Sequence, residues 1–193
     1  MSLIYLCESY GLTECAEYWN HVIHINNFQT KRFSEKIVHK MFSTVTGKKI
    51  AMLGYAFKKN TADVRETRSM YVLHDLIQEE AKVHVFDPKV KRSDMMTEFN
   101  TTLGVNLENT PKLDQLVVTA TDAYEACEGA HALLILTDWD EFKDLDYEKV
   151  FASMAKPAFL FDGRNMLDQP ALRKIGFEVH GIGKPDPLEF SDL

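Results

Sequence analysis

The chain has 193 residues, 45% of them hydrophobic and 26% charged, which suits a folded globular protein with room for one good core and an appendage. Lysine plus arginine number 22 against 29 aspartates and glutamates, and the resulting charge of −7 excludes a general nucleic-acid or anionic-membrane binder. The three cysteines, Cys7, Cys15 and Cys127, fit no zinc spacing or disulfide framework and imply a reducing compartment, while no apolar run reaches the ~20 residues that span a bilayer.

The chain opens inside an amphipathic segment, so it is expected to be a piece of a longer protein, and the N-terminus lacks the pattern of a secretion signal. A short helix is expected over about Leu3–Tyr10. From Thr13 to about Phe42 there is no glycine or proline. Thr13 is expected to cap this segment, and Glu14 and Glu17 suit the positive end of a helix. Trp19, Val22 and Ile23, then Phe33, Ile37 and Met41, fall at helical spacing. Some thirty residues at about 1.5 Å each give a rod of roughly 45 Å, closed by Thr46-Gly47. Such a rod reads as a spacer leading out of a mostly missing domain, with Tyr18, Trp19 and Phe28 as packing residues rather than a ligand box.

From Lys48 the pattern alternates. Strands are expected at 49–54, 82–87, 116–120, 131–137, 158–162 and 177–182, and helices at 69–80, 122–129, 140–154 and 168–175. Strands rich in Val, Ile and Leu with helices between them imply a parallel sheet covered on both faces. The expected fold class is α/β: a Rossmann-like, doubly wound, mostly parallel sheet preceded by a long helix from an all-α domain. Region 91–115 is polar and reads as a long loop with a short helix. Residues 185–193 read as a loose tail.

Ligands of such folds bind beyond the carboxyl ends of the strands. Three tips attract notice. In Gly54-Tyr-Ala-Phe-Lys-Lys-Asn-Thr-Ala-Asp-Val-Arg-Glu-Thr-Arg-Ser69, Lys58, Lys59, Arg65 and Arg68 supply four positive charges and Asp63 and Glu66 return two. Charge-assisted hydrogen bonds from two or three of them could hold a diphosphate without a glycine-rich cradle. A solvated loop laced with surface ion pairs is the competing reading. At Phe161-Asp-Gly-Arg-Asn165, Arg164 can fork phosphate oxygens, or Asp162 can simply cap a helix beside an incidental arginine. At Phe86-Asp-Pro-Lys89, an acid in this position grips ribose in dinucleotide folds. Without the glycine fingerprint, a turn-forming Asp87-Pro88 is the better reading. His21, His24, His39 and His74 sit in helices without a carboxylate or cysteine cluster. Asp138 and Asp140 suit a helix start, so no metal site is expected.

The loop from Leu53 to Thr67, together with Val85-Phe-Asp-Pro-Lys-Val90, Asp122-Ala-Tyr-Glu-Ala-Cys-Glu-Gly-Ala-His-Ala132, Phe159-Leu-Phe-Asp-Gly-Arg-Asn165, Leu6-Cys-Glu8 and Tyr18-Trp-Asn20, resembles the nucleotide-sugar 6-dehydrogenases, the UDP-glucose/GDP-mannose dehydrogenase family. The resemblance spans about residues 3–184, holds the family's order, and is nearest to animal members that act on UDP-glucose. It implies a parent with an NAD-binding Rossmann domain, a helical middle and a UDP-binding Rossmann-like domain. Residues 1–46 would end the helical, dimerising middle, 47–184 would form the UDP-binding domain and 185–193 the tail.

The implied reaction converts UDP-glucose to UDP-glucuronate in two hydride transfers to NAD, through a thioester on a cysteine. That cysteine belongs to a Gly-Gly-Ser-Cys-Phe-type motif. No such motif occurs here, so no catalytic residue is expected in this chain and it is predicted to be inactive alone. Carried over by position, Phe57, Lys58 and Arg164 are implied substrate contacts, and Arg65 is implied to reach NAD across a domain cleft. Asn165 stands where the family has a second arginine. A cytoplasmic homo-oligomer, dimer or hexamer, is also implied. The alternative is a free-standing nucleotide-binding or oligomerisation module without catalysis.

Overall fold

The computed structural model describes residues 2–104 and 115–184. In chain order these form α1 (Ser2–Ser9), α2 (Thr13–Lys40), β1 (Lys49–Leu53), α3 (Arg68–Gln78), β2 (Lys82–Phe86), α4 (Arg92–Leu103), β3 (Val117–Thr119), α5 (Ala123–Cys127), β4 (Ala132–Ile135), a 3-10 turn (Asp140–Phe142), α6 (Tyr147–Ser153), β5 (Phe159–Asp162), α7 (Gln169–Ile175) and β6 (Glu178–Gly181). All six expected strands join one sheet in the order β3-β2-β1-β4-β5-β6, and every pairing is parallel. The order reverses between β1 and β4, which creates the crevice where doubly wound folds bind ligands.

Strand alternation builds two cores. Ile50 and Met52 of β1, Leu134 of β4, and Phe159 and Phe161 of β5 face the layer of α2, α3 and α4. Ala51 and Leu53, Leu133 and Ile135, and Leu160 face α5, α6 and α7. Both sets are buried, because a parallel sheet carries helices on each face. On the first side Phe161 lies between the edge of Phe33 at 6.4 Å and the stacked ring of His180 at 5.0 Å.

The helices depart from expectation in identifiable ways. Residue 12, not Thr13, occupies the N-cap position of α2, and Leu12 has no oxygen in its side chain to bond the first turn. The helix stops at Lys40 rather than at Thr46-Gly47, because Phe42 and Ser43 turn into the left-handed region. Its last part enters the sheet's core through Phe33, Ile37 and Met41. Tyr18, Trp19 and Phe28, expected to pack, are exposed.

Where a long loop with a short helix was expected over 91–115, Arg92–Leu103 form a regular helix, α4, ended by Gly104 at φ +65. It buries Met95, Met96 and Phe99, while Thr97 and Thr101 donate to the carbonyls four residues back. The helix expected over 140–154 divides, because Asp146 accepts the Lys149 amide and caps its own helix, α6. Asp162 caps no helix; Asp168 caps α7 by accepting from the Ala171 amide. Residues 185–193, expected as a tail, lie outside the described residues.

Candidate functional site

The first strand's tip accounts for its own backbone. The Gly54 amide donates to Phe86 O at 2.8 Å, and the Phe57 amide donates to Asp63 O at 2.8 Å. Between them the Tyr55 and Ala56 amides donate to Asp87 Oδ2 at 2.8 and 2.9 Å. The carbonyls are covered as well. Thr67 Oγ1 donates to Tyr55 O at 2.9 Å, Thr137 Oγ1 to Ala56 O at 2.7 Å, and Arg164 Nη2 approaches Phe57 O at 3.4 Å. Gly54 takes φ +92, and an added Cβ would stand 2.5 Å from Thr137 Cβ and 2.6 Å from its backbone nitrogen. Only glycine allows β1 to pass the β4 tip this closely.

This rigid turn delivers Phe57 and Lys58 to the surface, with Phe57 52% exposed. Arg164 comes from the β5 tip, where Asp162 accepts the Arg164 and Leu167 amides and fixes the turn. Its Nε donates to Leu136 O at 2.7 Å, just past β4, and its far nitrogen reaches toward Phe57. Phe57 and Arg164 therefore meet, and Lys58 follows Phe57 directly. Among the described residues Lys58 makes no ion pair or hydrogen bond, although its charge is felt by Asp63.

The other loop cations are engaged. Arg65 forms a bidentate pair with Asp63 at 2.9 and 2.7 Å, and this hydrogen bonding lowers the Asp63 carboxyl to about 2. Lys59 binds Asp140 at 2.9 Å, and that contact raises the ammonium's pKa while it lowers that of the carboxyl. Arg68 Nη1 donates to Asn27 Oδ1 of α2 at 2.6 Å. The loop is laced with surface ion pairs, as the competing reading expected, and Lys58 stands outside them.

A cavity of about 300 Å³ lies beside this arrangement, bounded by Arg68, Ser69, Leu136, Gly163 and Arg164 and walled by Phe33 of α2. A larger one, about 670 Å³, runs between the later turns of α2 and the exit of β6, away from the β1 tip. Of the candidate site residues, Arg164 lines the first; Phe57 and Lys58 do not. Asn165 adopts φ +53, which asparagine tolerates, and its Nδ2 donates to Ile182 O at 2.8 Å. Asn165 thus ties the β5 turn to the exit of β6. Cys127 is buried in the second core, and burial pushes its thiol up to about 12, so it is no nucleophile.

Sequence reasoning took Asp87 for a turn residue, and Oδ1 does accept the Lys89 and Val90 amides at 2.9 and 3.1 Å. It missed the second face of that carboxylate. Oδ2 takes Trp139 Nε1 at 3.1 Å in addition to the two amides of the β1 tip. The lack of a glycine fingerprint after β1 was the available signal that this tip was not free for a phosphate.

A wholly parallel sheet in this order, reversing between β1 and β4, defines a Rossmann-like doubly wound domain. Residues 51–169 match the UDP binding domain of the UDP-glucose/GDP-mannose dehydrogenase family. The chain belongs to that family, the one its motifs resemble. It is 49% identical to UDP-glucose 6-dehydrogenase 4 of Oryza sativa subsp. japonica over 100% of this chain and 42% of that protein. It is 48% identical to UDP-glucose 6-dehydrogenase of Gallus gallus over 95% of this chain and 37% of that protein. The solved UDP-D-ManNAc dehydrogenase of Pyrococcus horikoshii superposes with a TM-score of 0.62 at 25% identity, over 91% of this chain and 34% of that one. The chain thus spans about two fifths of the length of the curated relatives it matches.

Proposed function

We propose that this chain is the nucleotide-gripping portion of a UDP-glucose 6-dehydrogenase, an NAD-dependent oxidoreductase that converts UDP-glucose to UDP-glucuronate. In this reading residues 1–46 end the helical middle domain and 47–184 form the UDP-binding domain. Lys58 and Arg164 neutralise the UDP diphosphate, and Phe57 offers an apolar wall with a fixed carbonyl. The observation that carries it is the reach of Arg164 from the β5 tip to the carbonyl of Phe57, next to Lys58. Two strand tips on opposite sides of the switch point are joined there.

Among the described residues the β1 tip, where a dinucleotide fold would hold NAD, is already occupied. The amides at the β1 tip are spent on Asp87, and the loop lacks the glycines that let a pyrophosphate approach. The proposed contact with NAD is Arg65, whose side chain is 80% exposed and held outward by Asp63. It could satisfy a cofactor bound on a neighbouring domain and so favour closure of the cleft. Exposed Tyr5 on α1, Tyr10 just after it and Phe28 on α2 support assembly into a homo-oligomer, dimer or hexamer, and the family supports a cytoplasmic setting.

The test is calorimetric titration of the chain with UDP and UDP-glucose. Each charge-assisted hydrogen bond contributes ~1.5–3 kcal/mol, so Lys58→Ala and Arg164→Ala should each weaken UDP binding by tenfold or more. Equal affinity in wild type and both variants refutes the assignment.

A further inference from the structure

We infer that Asp87 is a built-in substitute for a phosphate: its carboxylate occupies the amide donors at the β1 tip and thereby positions the loop that presents Phe57 and Lys58. The inference rests on the reading of the site just given.

Five N–H groups converge on this one side chain, at 2.8 to 3.1 Å, from three separate places in the chain. A carboxylate offers about four lone-pair directions, so Asp87 is saturated. Successive backbone amides closing on an anion are the arrangement by which proteins hold phosphates, and the tip of the first strand is where Rossmann folds do so. Here the anion arrives from the tip of β2 instead.

Two consequences follow. A diphosphate cannot use these amides, because they are engaged and because it would meet the charge of Asp87 at contact distance. Its recognition passes to side chains further out, Lys58 and Arg164. Asp87 also joins the tips of β1 and β2 to Trp139 beyond β4, so the loop's conformation is set before any nucleotide arrives. It is a positioning residue and does not itself touch the nucleotide.

The test uses the 193-residue chain with Asp87→Asn and Asp87→Gly. Asparagine keeps the shape but turns an NH2 group toward one set of donors, and glycine empties the pocket. Hydrogen exchange at the Tyr55 and Ala56 amides, and the indole N–H resonance of Trp139, report the clamp without ligand. Both variants should exchange faster at these amides and shift that resonance, and both should bind UDP roughly tenfold or more weakly. Added formate should restore protection and affinity in Asp87→Gly, whereas chloride should not. A merely structural defect would not respond to formate.

Unchanged exchange in both variants overturns the clamp. Faster exchange with undiminished UDP affinity overturns its positioning role. A wild-type chain that binds no UDP, while its amides respond to Asp87→Asn and to formate, upholds the clamp and overturns instead the reading of the site. Should Asp87→Gly fail to fold, Asp87→Asn decides by the same exchange and affinity measurements.

Discussion

Replacing Gly54 by alanine tests the close passage of β1 and β4 directly. A side chain at φ +92 costs about 1–3 kcal/mol in backbone strain. The new methyl would overlap Thr137, from 2.5 Å at Cβ to 2.7 Å at Oγ1, and relief of such overpacking costs a further ~1–3 kcal/mol. The sum is ~2–6 kcal/mol. For a chain of this length each kcal/mol lowers Tm by about 2–4 °C, so the drop should be on the order of 10 °C. Truncating Thr137 should not rescue the variant fully, since the backbone nitrogen itself lies 2.6 Å from the added carbon. Gly129→Ala is the control. Its φ is +65 but nothing stands within 4 Å, so only the backbone component applies, about 1–2 kcal/mol. Urea unfolding of both variants at constant slope separates the two costs. If Gly54→Ala is no more destabilising than Gly129→Ala, the contact with Thr137 does not constrain the tip as argued.

Two further expectations concern ionisation. The Asp63 carboxyl is lowered by Arg65, so the stabilisation from this pair is present above the ordinary value of 3.8 and is lost as pH falls through about 2. A carboxyl NMR titration should show a midpoint near 2 that rises in Arg65→Gln, and a wild-type midpoint at 3.8 contradicts the pairing. Cys127, pushed up to about 12, should carry on the order of 10⁻⁴ thiolate at pH 8, whereas Cys15 is exposed. One fast-reacting thiol is therefore expected with a disulfide reagent, and Cys15→Ser should abolish it. A fast thiol that survives Cys15→Ser and disappears in Cys127→Ser would contradict the burial.

The six strands were legible because a sheet covered on both faces demands continuous apolar runs such as Ala132–Ile135, with side chains alternating into two cores. Helix α4 was expected only as a short helix within a long loop, not as twelve residues. Its buried Met95, Met96 and Phe99 have helical spacing, but Ser93, Thr97, Asn100, Thr101 and Thr102 dilute the pattern with residues that favour turns. The division at Asp146 was hidden because a capping aspartate and an interior one look alike until the chain turns. At the site, the cations of the β1 loop and Arg164 were visible as charge. Asp87 was half visible: its turn is local, but its other partners lie 31, 32 and 52 residues away. Sequence spacing cannot report bonds that exist only after three strands are paired.

Helix α2 has a mechanical consequence. Phe33, Ile37 and Met41 bed one end in the sheet, Arg68 fastens its middle at Asn27, and Tyr18, Trp19 and Ile25 lie free of that bedding. Twenty-eight residues at about 1.5 Å make a lever arm of about 42 Å. A tilt of roughly 5° at the bedded end swings a point about 25 Å along it by about 2 Å. Small rearrangements at Arg68, which bounds the cavity beside Arg164, are thereby magnified at the distant end.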